Sequence, residues 1–228
     1  MQQKLAKLAS MLEHHRLDPT SGFRFLEFLP HDALGANAVV IYLHGSGERG
    51  SDLSWVKRYG LPALLARSEV SVNCPVMCPQ LEAEAEWNAD RLALLIKATT
   101  TASQQLVLIG YSLGGSGVCQ FVGRLGPLVN VAVAIAGQAP HSVSVAQAGL
   151  EFLAIQGEQD PWPCTAGFVE SINGSGGVAH SVALVGKGHY ISEEALFHPG
   201  LTLLLKKAGV EIAMRQPVPG PGAGPLAP

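Results

Sequence analysis

Short, unbroken apolar runs alternate along this chain with longer segments whose apolar residues recur at helical spacing. Ala38 to His44 reads Ala-Val-Val-Ile-Tyr-Leu-His, and Leu106 to Ile109 reads Leu-Val-Leu-Ile. Val131 to Ala136 and Phe152 to Gln156 have the same character. Such runs, with no polar alternation, predict strands buried on both faces. Phe23 to Leu29 alternates apolar with polar and predicts a half-exposed strand. Val70 to Cys78 predicts a further strand interrupted at Pro75, and Ser181 to Val185 predicts the last one.

Helical patterns fill the gaps. Residues 3–14 carry lysines at 4 and 7 and leucines at 5, 8 and 12, which predicts an amphipathic surface helix. Ser54 caps a predicted helix from Trp55 to about Arg67, and Asn88 caps another running to about Thr101. A helix through Val118 to Val122 follows the strand at 106–111. Pro163 suits the first turn of a helix reaching about Asn173. Glu193 and Glu194 put acids at the positive end of a helical segment that Pro199-Gly200 breaks, and a final helix runs to Gly209. From residue 38 onward, strand and helix alternate. The fold class is therefore α/β, with a mostly parallel central sheet, helices on both faces, and ligands at the carboxyl ends of the strands.

Three segments follow: an N-terminal helical segment (1–20), one α/β domain (21–210), and a Pro/Gly-rich tail (211–228) expected to be disordered. The first twenty residues either dock on the domain or form the contact of a homodimer. With 228 residues, 47% hydrophobic and 14% charged, the chain can bury one large core. No apolar run approaches the ~20 residues of a membrane helix, so no stable membrane insertion is expected. The N-terminus lacks the apolar centre of a secretory signal. Net charge is −3 with no basic block, which argues against nucleic acid as a partner. On a strand, Cys74 and Cys78 would stand about 13 Å apart, too far for a disulfide. No zinc-type ligand spacing is present, so no metal is expected. Reduced, structural cysteines predict a cytoplasmic protein.

The chemistry concentrates at Gly110-Tyr111-Ser112-Leu113-Gly114, a G-x-S-x-G between a predicted strand and a predicted helix. That context makes Ser112 a candidate nucleophile on a strained turn, with glycines where side chains would collide with strand and helix. A serine hydroxyl needs a base, and the base needs an orienting acid. Asp160, in the loop after the 152–156 strand, is the candidate acid, with Glu158 as the alternative. His189, on Val185-Gly186-Lys187-Gly188-His189, is the candidate base, ahead of His198. The oxyanion of an acyl-transfer intermediate needs backbone N–H donors. Leu113 supplies one, and Ser46 or, alternatively, Gly45 supplies the second. Glu48 and Arg49 pair with the loop backbone or each other to stiffen that loop, or act in catalysis.

These motifs resemble a serine esterase of the α/β-hydrolase superfamily. The residues that carry the resemblance are Leu43-His44-Gly45-Ser46-Gly47-Glu48-Arg49-Gly50, Cys78-Pro79-Gln80 with Trp87 downstream, the turn at 110–114, Gly157 to Asp160, and Gly188-His189. The chain is most similar to small bacterial esterases near the phospholipase/carboxylesterase and polyhydroxybutyrate-depolymerase-like branches, over roughly residues 38–208. The resemblance implies acyl-ester hydrolysis through an acyl-serine, with no cofactor. Related dienelactone hydrolases carry cysteine where this chain has Ser112. The segment from Gly137 to Leu150 is too short for a multi-helix cap, so no large lid domain and an open site for short- to medium-chain esters are expected. Trp87, Tyr111 and Trp162 neighbour the predicted loops and are candidates to line it. Three functional classes fit: a carboxylic-ester hydrolase, which is favoured, a thioesterase or peptidase with the same triad, and a non-catalytic binder on the same fold.

Overall fold

In strand β3 (Ala38–Leu43), successive side chains enter two different cores. Ala38, Val40 and Tyr42 face one apolar layer, while Val39, Ile41 and Leu43 face the other. A central strand must be apolar throughout to do this, which is why the run shows no alternation. In the computed structural model, residues 11–31, 35–125, 128–140, 149–162 and 166–215 are described.

The remaining strands are β1 (Leu12–Leu17), β2 (Arg24–Leu29), β4 (Val70–Val72), β5 (Val76–Gln80), β6 (Gln105–Tyr111), β7 (Val131–Ile135), β8 (Glu151–Gly157), β9 (Val178–Leu184) and β10 (Ile212–Met214). Seven of these and β3 form one eight-stranded sheet in the order β1-β2-β5-β3-β6-β7-β8-β9. From β5 to β9 every pairing is parallel, and β1 and β2 add an antiparallel edge. Leucines of α1 (Gly60–Ala66) and α5 (Pro199–Lys207) pack on one face. Helices α2 (Ala89–Thr99), α3 (Leu113–Phe121) and α4 (Ala166–Gly174) pack on the other. Asn88 caps α2 by accepting the Arg91 N–H at 2.9 Å, as its position in the sequence predicts. No lid domain is present among the described residues.

Four expectations need correction. The predicted helix at 3–14 lies partly outside the described residues, but Leu12–Leu17 is an edge strand paired with β2. The reason is the turn-dense stretch Asp18-Pro19-Thr20-Ser21-Gly22. Its Gly22 N–H donates to Asp18 O, and the Asp18 carboxylate accepts the Ser21 N–H at 2.7 Å, so the hairpin overrides helical spacing. The predicted helix from Trp55 to Arg67 is two pieces, a 3₁₀ turn at Leu53–Lys57 capped by Asp52 rather than Ser54, and α1. Gly60 has φ +64° and abuts the Tyr42 hydroxyl, which breaks the run. The strand expected at 70–78 divides, because β4 leaves the main sheet to pair with β10. That pairing also moves the body's end past residue 211, and the Arg215 N–H still donates to Glu69 O. The tail at 216–228 and the Pro163 helix start lie outside the described residues.

Candidate active site

At the carboxyl end of β6 the chain turns at Ser112 with φ 52° and ψ −113°, a conformation that costs a non-glycine residue energy. The surroundings over-determine it. A Cβ on Gly110 would stand 2.2 Å from Gly114 O, and one on Gly114 would stand 2.0 Å from Leu43 O. The Ser112 N–H donates to Ile135 O at 2.9 Å, tying the turn to β7. The Ser112 hydroxyl is thereby lifted out of the sheet at the start of α3.

Three segments distant in sequence converge on that hydroxyl. Ser112 Oγ lies 2.8 Å from His189 Nε2, and His189 Nδ1 lies 2.9 Å from Asp160 Oδ2. The Asp160 side chain is fully buried, and its Oδ1 accepts the Trp162 N–H at 3.1 Å. The loops bearing acid and base are stitched together. The Gln159 N–H donates to Lys187 O at 2.8 Å, and a Cβ on Gly157 would stand 2.0 Å from Gly188 O. Glu158 serves this stitching instead, its Oε2 accepting the Gly186 N–H at 2.8 Å. His198 caps α5 by accepting the Gly200 N–H and is not part of the cluster.

Opposite the turn lies the loop after β3. His44 is wholly buried: Nδ1 donates to Gly45 O at 2.6 Å, and Nε2 accepts the Leu81 N–H at 3.0 Å. Burial pulls this imidazole down to about 4, against the Gly45 carbonyl, with Arg49 adding a smaller downward push. It is therefore a neutral strut at pH 7. Gln80 Nε2 donates to both Glu48 O and Asp52 O. Arg49 turns away to Ser46 O, Ala85 O and Glu86. Glu48 and Arg49 thus hold the loop separately rather than pairing with each other. Burial raises the Glu48 carboxyl to about 7, partly opposed by backbone hydrogen bonds from Gly45 and from Glu48 itself and by the Arg58 charge.

A cleft of about 540 Å3 opens between these loops, and Gly45, Ser46, Tyr111, Ser112, Leu113, Trp162 and His189 all line it. Trp87 does not. It is buried beneath the loop, where Nε1 donates to His44 O at 3.2 Å and the ring meets those of His44 and Phe23. It braces the site from behind. Tyr59 and Tyr190 line the cleft without having been singled out from the sequence. Three rings surround the His189 imidazole, those of Tyr111, Trp162 and Tyr190, at centroid distances of 5.3–5.8 Å. Burial raises the Tyr111 phenol to about 12. Cys74 and Cys78 are buried, unbridged and not among the residues lining the cleft; burial raises Cys74 to about 12 and pushes Cys78 up as well. Among the described residues no cluster of His, Cys, Asp and Glu could hold a metal, and no helix is long and apolar enough to cross a membrane.

No protein-family model and no curated protein sequence matches the chain. Solved structures do. An S-formylglutathione hydrolase from Agrobacterium tumefaciens matches with TM-score 0.58 at 14% identity, covering 88% of this chain and 96% of that one. A thermostable esterase from Pseudomonas putida matches with TM-score 0.62 at 12% identity, covering 88% and 82%. A further thermostable esterase matches with TM-score 0.57 at 18% identity; 82% of this chain is covered, and the chain spans 59% of that protein. At such identities the likeness concerns architecture, and the chain has the α/β-hydrolase fold.

Proposed function

We propose that this protein is a serine carboxylic-ester hydrolase acting on short- to medium-chain acyl esters through an acyl-serine intermediate. The observation that carries the reading is the line from Ser112 Oγ to His189 Nε2 and from His189 Nδ1 to the buried Asp160 carboxylate. Ser112 Oγ attacks the ester carbonyl as His189 Nε2 takes its proton. Asp160 accepts the Nδ1–H, which fixes the tautomer and steadies the imidazolium. The tetrahedral oxyanion receives the Leu113 N–H at the start of α3. The second donor is the Ser46 N–H, since the Glu48 carboxyl lies against the Gly45 backbone. Collapse expels the alcohol, protonated by His189. Water, deprotonated by the same imidazole, then releases the acid and restores Ser112.

A thioester would meet the same atoms. Among the described lining residues, however, no Lys or Arg is present to hold the phosphates of a coenzyme thioester, which favours small neutral esters. Buried thiols at Cys74 and Cys78 fit a reducing, cytoplasmic setting.

The test is hydrolysis of a p-nitrophenyl ester series by native protein and Ser112→Ala, alongside fluorophosphonate labelling. Activity peaking at short acyl chains, with both activity and labelling lost in Ser112→Ala, is the expected result. Equal labelling of the two proteins would overturn the assignment. Activity should also fall as acid protonates His189, since the imidazolium cannot act as a base.

A further inference from the structure

Glu48 is the only Asp, Glu, Lys or Arg among the described residues lining the cleft, yet it is 1% exposed. It ends the 3₁₀ turn Ser46–Glu48, and its side chain folds back beneath Gly45. A Cβ on Gly45 would stand 3.2 Å from Glu48 Oε2 and 3.3 Å from Ser112 Cβ. Acid and nucleophile therefore flank one backbone position. Oε2 lies against the Gly45 backbone, while Oε1 is buried with no hydrogen-bond partner. The turn cannot swing to supply one, because Gln80 holds the Glu48 carbonyl at 2.9 Å.

The groups facing this carboxyl do not compensate a charge. Arg58 donates to Gly47 O at 3.0 Å and helps only weakly, as the last of the influences on Glu48. Arg49 points to Ala85 and Glu86. His44 is neutral. From β3 and β6 come the phenols of Tyr42 and Tyr111, both pushed up in part by Glu48. Across the cleft stands His189. An ionised carboxylate here has a buried Oε1 with no donor, and a second negative charge developing at Ser112 would repel it across Gly45 with little screening.

We infer that Glu48 is a positioning residue of the oxyanion-binding loop that works as the neutral acid, holding Gly45 so that the Ser46 N–H faces Ser112 Oγ. Ionisation of Glu48 then opposes the reaction. This rests on the hydrolase reading, and it deepens that reading by adding an alkaline limit set by the donor loop. Burial, which raises the acid to about 7, puts that limit in an accessible range.

The test is the pH profile of kcat/KM for a soluble short-chain ester, from about pH 5 to about pH 9, for native protein and Glu48→Gln. The amide keeps the shape and an acceptor but does not titrate. Native activity should fall about tenfold on the alkaline side, the effect of ~1.4 kcal/mol of added repulsion. Glu48→Gln should share the acid limb and hold its plateau to about pH 9. Superimposed profiles, or a variant uniformly slowed at every pH, would overturn the proposal. Should Glu48→Gln not fold, infrared difference spectra of the native protein between about pH 5.5 and about pH 8.5 decide the matter. Loss of a protonated carboxylic-acid carbonyl band, together with the native alkaline fall, supports the proposal, and absence of either overturns it. Fluorophosphonate labelling separates the two failures. An unlabelled Ser112 sinks the hydrolase reading and this one with it, whereas a labelled enzyme with superimposed profiles sinks this one alone.

Discussion

Two loops face each other across the cleft, and different physics holds each in place. The turn at Gly110–Gly114 is fixed by backbone against backbone, with every added Cβ driven into a main-chain atom. The loop at Gly45–Gly47 is not held by backbone in this way: a Cβ on Gly45 would meet only side chains, Glu48 Oε2 at 3.2 Å and Ser112 Cβ at 3.3 Å, and one on Gly47 would meet nothing within 4 Å. Buried polar groups hold it instead, namely the His44 ring, the Gln80 amide, the Trp87 N–H and the Glu48 carboxyl. Steric confinement does not depend on solution conditions. A polar clasp containing two groups moved from their ordinary protonation range does. The Ser112 hydroxyl and the Leu113 N–H are thus held by an element indifferent to pH, while the Ser46 N–H, the proposed second oxyanion donor, rests on one that is not.

The largest effect should come from violating the steric loop. Gly114→Ala puts a methyl 2.0 Å from Leu43 O, and a sheet carbonyl cannot rotate aside as a side chain can. Overpacking costs about 1–3 kcal/mol in yielding surroundings, so this variant should lose about 3 kcal/mol or more, and with it fluorophosphonate labelling. Native-like melting with native labelling would break the comparison.

Cutting the polar clasp should cost less. His44→Ala strips the Leu81 N–H and the Gly45 carbonyl of their partner and takes away the ring that faces Trp87. Buried orphan groups cost about 1–3 kcal/mol each, partly relieved by relaxation, so a loss of about 2–4 kcal/mol is expected by denaturant unfolding. Because Ser112 and His189 are held elsewhere, labelling should slow but persist. Abolished labelling in a folded variant would show that the two loops are not independently supported.

The clasp should also be legible in stability against pH. His44 sits at about 4 folded and 6.5 as its reference. Between those values the unfolded chain binds the extra proton, so the His44 contribution to stability grows as pH rises through the window, by about 3 kcal/mol at most. Glu48 runs the other way, at about 7 folded against 4.5. Its unfolded form gives up the proton first, so its contribution shrinks as pH rises from about 4.5 to about 7. In the native protein the two slopes offset between about 4.5 and 6.5. Glu48→Gln removes one of them, and its melting temperature should climb with pH across that interval more steeply than that of the native protein. Parallel curves would mean that Glu48 titrates alike in the folded and unfolded chains.

How far the sequence reached follows the same division. The turn at Ser112 was legible because its demand is local: a strand, two glycines around a serine, and small residues after it. Asp160 and His189 were legible because each ends a strand on a glycine-bearing loop. The clasp was not, since His44, Gln80 and Trp87 come from three segments and meet only in the folded chain. Trp87 neighbours a cleft loop in sequence yet packs behind it, because proximity in sequence says nothing about which side of a loop a ring packs on. The strand at Leu12–Leu17 was hidden for a related reason. Leucines and lysines at helical spacing are a weak preference, and the Asp18–Gly22 turn supplies definite hydrogen bonds to its antiparallel neighbour. Likewise Ile212–Met214 carries no pattern of its own and is a strand only because β4 is available to it.

The smallest expected effect is the sharpest test of the contrast. Gly47 is exposed, with open space where its Cβ would stand, and the hydrogen bond it offers Arg58 comes from its carbonyl, which alanine retains. If side chains around it hold the loop, a methyl at this position changes nothing that matters in the folded state and restricts the unfolded chain. Gly47→Ala should then stabilise the protein by up to about 1 kcal/mol. Fluorophosphonate labelling of Ser112 should stay within about twofold of native, since the groups that aim the Ser46 N–H are untouched. A loss of stability comparable to that of Gly114→Ala would mean that this loop, too, depends on a glycine backbone, and the distinction between a sterically confined turn at Ser112 and a polar-clasped loop at Gly45–Gly47 would fall.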